Sequence, residues 1–124
     1  MKYFITITLF SLFMIMNCDG TASNTISYGF DVEPIFRDNC FACHSSEKNS
    51  SANLNLSSYE TLMYDTSDSG PVVIPKHPER SILIDKIASP TPMFGSQMPF
   101  NAEPLSNEDI RMIDIWIYRG AKDN

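Results

Sequence analysis

The sequence predicts a small domain assembled mainly from short helices, and three features predict it. Capped helical stretches recur along the chain, prolines punctuate the segments between them, and the alternating pattern of a strand is short, Leu54-Asn-Leu56. Phe30-Asp-Val-Glu-Pro-Ile-Phe-Arg-Asp-Asn-Cys40 reads as the first helix. Asp31 is its expected cap, Pro34 sits in the first turn where no intrahelical N–H partner is needed, and Val32, Ile35 and Phe36 share one face. Leu54 to Leu56 is expected as an extended piece against something apolar, and Ser57 or Ser58 as the cap of a short helix reaching Tyr64. Thr66-Ser-Asp-Ser-Gly-Pro71 is a turn cluster, and Pro75, Pro78, Pro90 and Pro92 then punctuate the chain around one helical stretch from Arg80 to Ala88.

The last helix is the most legible. Ser106-Asn-Glu-Asp109 opens it like a capping box with the shorter Asp in place of Glu or Gln, and Leu105 and Ile110 have the spacing of a hydrophobic staple. Ile110, Ile113, Trp116 and Ile117 recur at steps of three and four and so share a face, expected to meet the core rather than a membrane or a partner. Gly120 is the permissive residue that ends the helix.

With 124 residues, 43% hydrophobic and 19% charged, the chain has material for one packed domain, which excludes a multidomain enzyme and wholesale disorder. The net charge of −6 and a pI near 4.7 have the wrong sign for phosphate backbones or anionic lipid heads, so nucleic acid is not an expected partner. Residues 1–17 read as a signal peptide of the lipoprotein type, with Lys2 before an apolar run from Tyr3 to Met16. That run reaches about 21 Å as a helix, against the ~30 Å of a bilayer core, which favours a leader over a transmembrane span. Cys18 stands where an acylated cysteine would stand, and Ile15-Met16-Asn17-Cys18 is a loose lipobox with Asn17 as the departure; ordinary cleavage nearby and an uncleaved anchor are the other readings. Residues 18–29 are expected as a polar tether, because Asp19 to Thr25 is too small and polar to bury itself, and residues 30–124 as the folded domain. Export would place the chain in the periplasm or cell envelope, outside the reducing cytosol, with a lipid anchor to the membrane.

Cys40-Phe41-Ala42-Cys43-His44 is the C-x-x-C-H signature of covalent c-type haem attachment. Two thiols at this spacing meet the two vinyl groups of one porphyrin edge, and the adjacent His44 is placed under the iron, where its second nitrogen fixes the ring's orientation. A dithiol redox motif would want a helix start after a buried strand, and no such strand precedes Cys40. A zinc site lacks ligands, since beyond these residues His77 and Cys18 are the remaining soft or imidazole donors. A disulfide between the two would close a tiny loop and stabilise little.

His44 leaves a sixth coordination position to be found downstream. Met98, in Gly95-Ser-Gln-Met-Pro99, is the leading candidate, because Pro99 biases it toward extended backbone and so aims a thioether off a loop. Met93 is the alternative sulfur, and His77, between Lys76 and Pro78, would give bis-histidine ligation, though its neighbours suit a solvated loop; Met63 and Met112 read as packing.

These residues together resemble the small monohaem cytochrome c domains of planctomycete type, of class I kind. The resemblance runs from about Phe30 to Ala121 through Val32-Glu-Pro-Ile, the Cys40 to His44 motif, Leu54-Asn-Leu56, Gly70-Pro71, Pro78-Glu-Arg-Ser81, Met98-Pro99, Leu105-Ser106 and Trp116-Ile-Tyr-Arg-Gly-Ala121. It implies an all-α cytochrome c fold, short helices wrapped around one covalent haem c, with thioethers at Cys40 and Cys43, His44 proximal and Met98 distal. The family's Pro-Gly turn appears here as Pro75-Lys76-His77-Pro78, and Lys accepts positive φ less readily than Gly. Its Met-Pro-Pro is Met98-Pro99-Phe100.

The expected function is that of an exported electron carrier rather than an enzyme, serving redox protein partners with a basic docking face that complements the acidic chain. Whether it is a subunit or a donor of an oxidoreductase is left open. A haem peroxidase, or a redox or gas sensor with a displaceable sixth ligand, is the rival class. Phe36, Leu54, Leu56, Leu83, Ile113 and Trp116 are the expected walls of the haem site, with Lys76 and Arg80 as candidate partners of its propionates.

Overall fold

The computed structural model describes residues 25–45, 51–64 and 66–124. The expected signal peptide, Cys18 and the polar stretch up to residue 24 lie outside the described residues. The chain is mostly helical, with α1 at Glu33–Asn39, α2 at Tyr59–Tyr64, α3 at Ile82–Ala88 and α4 at Asn107–Tyr118. A two-residue antiparallel ladder pairs Thr66–Ser67 with Gly70–Pro71, closing the turn cluster expected there.

The first helix begins a turn earlier than expected. A π-helical turn at Tyr28–Val32 precedes α1, and its cap is Ser27 rather than Asp31: the Ser27 hydroxyl accepts from the Phe30 N–H, while Asp31 reaches back to accept from the Ser27 N–H at 2.7 Å. The two side chains thus serve each other's backbone donors, as in a capping box. Tyr28, inside the stretch expected as tether, is buried in the core, so packing takes in residues before Phe30.

The helical stretch expected from Arg80 to Ala88 starts instead at Ile82, because Ser81 is extended and Pro78–Arg80 forms a separate 3-10 turn. Ser58 accepts from the Thr61 N–H at the start of α2. Ser81 is a buried polar side chain: its hydroxyl accepts from the Ile74 N–H and donates to the His77 carbonyl, both at 2.9 Å, which pins the proline-flanked loop to the start of α3. Lys76 takes the left-handed conformation, φ 68°, so the turn keeps its shape without glycine, and its N–H reaches the Ile117 carbonyl at 2.8 Å.

In α4, Ile113, Trp116 and Ile117 are buried and Ile110 packs at the edge, so the stripe is core. Ser106 caps the helix through the Asp109 N–H at 3.1 Å. The Asp109 carboxylate is too short to complete the box and accepts the Ser106 hydroxyl instead. At the other end, Gly120 N–H bonds Ile117 C=O and Ala121 N–H bonds Trp116 C=O, a Schellman stop with Gly120 at φ 107°.

The chain end then folds back on the start. Trp116 Nε1 donates to Lys122 C=O at 3.0 Å, Tyr59 donates to Ala121 C=O at 2.7 Å, and Asn124 accepts from Ser27 and Tyr28. Tyr28, Tyr59 and Trp116 form one aromatic group with ring centroids 5.2 to 6.5 Å apart.

Two outcomes test this half of the molecule by urea denaturation. Ser106→Ala should lower stability by about 1 kcal/mol, the worth of an N-cap. The Tyr28 hydroxyl is buried with no hydrogen-bond partner, and burial, followed by the charges of Glu33 and Asp123, pushes its pKa from 10.0 to about 12. The neutral phenol is therefore favoured in the folded state, and stability should fall as pH rises from 10 toward 12. Tyr28→Phe should flatten that alkaline fall without loss of stability at neutral pH, since no hydrogen bond is removed.

Candidate functional site

α1 ends where the Phe36 carbonyl accepts from both Cys40 N–H, at 2.7 Å, and Phe41 N–H, at 3.1 Å. The next turn is equally tight, with Cys43 N–H and His44 N–H both on the Cys40 carbonyl at 3.1 and 2.9 Å. Stacking these turns sends Cys40, Cys43 and His44 to one end of α1, and the His44 carbonyl then receives the Leu56 N–H at 2.8 Å. Leu54 to Leu56 is thereby laid beside the histidine.

Cys40 and His44 open onto a cavity of about 270 Å³, close to the lower edge of the ~300–1,000 Å³ that ligand clefts enclose. Its walls are Leu54, Leu56, Val72, Ile82, Leu83, Ile87 and Phe94, and Met98 stands on the same wall. Among the described residues, Ser67, Ser69 and Lys86 are the other polar side chains along it. The cavity thus brings together three of the residues singled out in the sequence, Cys40, His44 and Met98, and leaves Cys43 exposed beside them.

Neither alternative sixth ligand lines this cavity. Met93 is 80% exposed. His77 faces Glu79 at 3.0 Å, and that hydrogen bond holds the Glu79 carboxyl below its ordinary range. A second, wider depression of about 430 Å³ lies by Trp116, Arg119 and Lys122 and holds none of the thiols, His44 or Met98.

The chemistry of the thiols weighs against an activated dithiol. Cys40 and Cys43 are both free, and burial pushes the Cys40 pKa from 9.0 up to about 11, with Cys43 adding to the shift. A reactive dithiol needs the opposite, a thiolate favoured by nearby positive charge. Among the described residues no three His, Cys, Asp or Glu side chains converge as a metal-binding group.

Three expectations about the walls are corrected. Phe36, Ile113 and Trp116 do not line the cavity; they are buried in the core with Val32 and Ile117. Lys76 and Arg80 are exposed and do not line the cavity; among the described residues the cation that does is Lys86, whose Nζ donates to the carbonyls of Phe94 and Ser96 at 2.6 and 2.7 Å. Lys86 was legible only as a cation in the last turn of a helix, a common and nonspecific sign.

Residues 40–99 match the family described as Planctomycete cytochrome C. The match spans just under half of the chain and makes this segment similar to planctomycete cytochrome c. Among solved structures, the chain is similar to Kuenenia stuttgartiensis hydrazine synthase at 18% identity and a TM-score of 0.51, over 78% of this chain and 16% of that one. The chain thus spans about a sixth of that protein, and the likeness is one of fold. No curated protein matches the chain. The cytochrome c family implies haem c binding, and the cavity fits it: an apolar enclosure with a thiol and an imidazole on its wall and a thioether on the wall as well.

In the chain with no group attached, a neutral alkylating reagent at pH 8 should modify Cys40 at least about tenfold more slowly than Cys43, because the reagent needs thiolate and access. Peptide mapping by mass spectrometry reads the ratio. Faster labelling of Cys40 would restore the dithiol reading.

Proposed function

We propose that the protein is an exported one-electron carrier with a single covalent haem c, attached through Cys40 and Cys43 and ligated by His44 and Met98. The observation that carries this reading is that Met98, far along the chain from Cys40 and His44, lines the same apolar cavity as they do. Bound there, haem supplies an iron centre that takes up and gives back one electron. Cys40 and Cys43 would hold it through two thioethers, each S–H being taken up by a vinyl group with no atom lost. His44 donates imidazole nitrogen, oriented by the hydrogen-bonded turn it shares with Cys40. Met98 offers a neutral polarisable sulfur, which favours the reduced state more than a second imidazole would and so raises the potential. Leu54, Leu56, Leu83 and Ile87 exclude water, which keeps the local dielectric low and holds the ligand set together.

Electron carriage is favoured over peroxidase chemistry by what stands beside Met98. Among the described residues the polar lining beyond Cys40 and His44 is Ser67, Ser69 and Lys86, which brings neither a carboxylate nor a second imidazole to work as acid or base. Met93, Phe94 and Phe100 are exposed on the segment that carries Met98, an apolar edge suited to the brief, small contacts of redox partners. The acidic chain favours a basic docking face, with association slowing as salt rises. Export rests on the run from Tyr3 to Met16, and anchoring to the membrane on Cys18 as its acylation site. No described helix is long and apolar enough to cross a membrane.

Protein matured with cytochrome c assembly machinery should give a pyridine haemochrome spectrum of a haem joined by two thioethers. The ferric protein should show a thioether-to-iron charge-transfer band that disappears in Met98→Ala. A colourless product, or high-spin iron in the wild type, would sink the proposal.

A further inference from the structure

The segment that carries Met98 has no regular structure, yet three consecutive residues of α3 hold it along its length. The Asp85 carboxylate accepts the Met93 N–H at 2.8 Å, and the Ile87 carbonyl accepts Gln97 Nε2 at 3.4 Å. Between them Lys86 acts twice. Its ammonium takes the carbonyls of Phe94 and Ser96, and its own carbonyl takes the Met98 N–H at 2.8 Å. The carbonyls of the last helical turn have no partner within the helix, so the loop supplies what α3 lacks.

The loop is shaped to that ammonium. Phe94 and Ser96 turn two carbonyl oxygens toward one point, an arrangement that a cation stabilises, and bonds to charged groups are about twice as strong as neutral ones. Gly95, at φ 61°, sits between them, and a Cβ there would stand 3.2 Å from Lys86 Nζ. Lys86 Nζ therefore ties the chain two and four residues before Met98, and Lys86 C=O ties Met98 itself.

We propose that Lys86 is the positioning residue for Met98: it sets how readily the loop lifts and how readily a foreign ligand replaces the sulfur. This rests on the reading of Met98 as the iron's thioether ligand. Lys86 touches the loop's backbone and acts on the iron only through Met98. Without the ammonium, Phe94 and Ser96 lose their shared donor and the loop opens more often. The iron is then accessible for a larger fraction of the time, and apparent affinity for an added ligand rises by that fraction.

The test uses the haem-loaded full chain. Imidazole is titrated into ferric wild type, Lys86→Met, Lys86→Arg, Lys122→Met and Met98→Ala, and amide hydrogen exchange is followed in the first two at Met98 and Ile113. Lys86→Met should bind imidazole at least about tenfold more tightly than wild type, given the loss of two charge-assisted hydrogen bonds. Its Met98 amide should exchange at least about tenfold faster while Ile113, in α4, is unchanged. Lys86→Arg, which keeps charge and donors, should lie nearer wild type, and Lys122→Met should match it. Wild-type imidazole affinity in Lys86→Met, alongside loss of the charge-transfer band in Met98→Ala, overturns the role of Lys86 and leaves the ligand assignment standing. Faster exchange at Ile113 as well as Met98 overturns it too, because the loss is then global. A wild-type spectrum in Met98→Ala overturns both.

Discussion

The Phe36 carbonyl accepts from two successive N–H groups, those of Cys40 and Phe41, and this shared acceptor fixes the direction in which the chain leaves α1. Phe36 itself is locked in the core at 1% exposure, so the acceptor cannot drift. The thiols, the imidazole and, through the Leu56 N–H, the segment from Leu54 to Leu56 all take their positions from that point. A displaced α1 would carry the whole motif with it. The buried faces of α1 and α4, Ile35 and Phe36 on one and Ile113, Trp116 and Ile117 on the other, join one core that prevents this.

The apolar side chains divide into two working groups. Val32, Phe36, Ile113, Trp116 and Ile117 fill space against one another and make a rigid backing. Leu54, Leu56, Leu83 and Ile87 belong to the same core but turn part of their surface to the cavity. Dense packing of the first group lets the site lined by the second keep its shape, because close-packed interiors deform little. Short helices suit this division, since each contributes one or two residues to the backing and one or two to the cavity.

Much of this was legible in the sequence, and the failures have physical causes. The Cys40 to His44 motif, the Ser106 cap, the α4 stripe and the Gly120 stop depend on spacing within one turn or two, and spacing is what a sequence displays. Asp31 was expected as a cap because it precedes Pro34 at a suitable distance; the π-helical turn that moves the cap to Ser27 has a different period and no clear residue signature. The division of core residues between cavity and backing was not legible, because Phe36 and Leu83 are equally apolar and differ only in what tertiary packing sets before them. Lys86 was missed for the same reason: its partners are main-chain carbonyls eight and ten residues on, and every residue has a carbonyl. Lys76 shows the converse, a left-handed position held by a residue that tolerates it poorly, because its N–H is anchored to Ile117.

The chain has one tryptophan, and it stands at the junction of the N-terminal turn, α2 and the returning chain end, tilted against Tyr28, edge-on to Tyr59 and bonded to Lys122. It is buried and takes no part in lining the cavity. Its intrinsic emission is thus a built-in optical probe of whether these three distant stretches of polypeptide have come together. In the chain with no group attached, the effect of changes made at the cavity can be followed without adding a label.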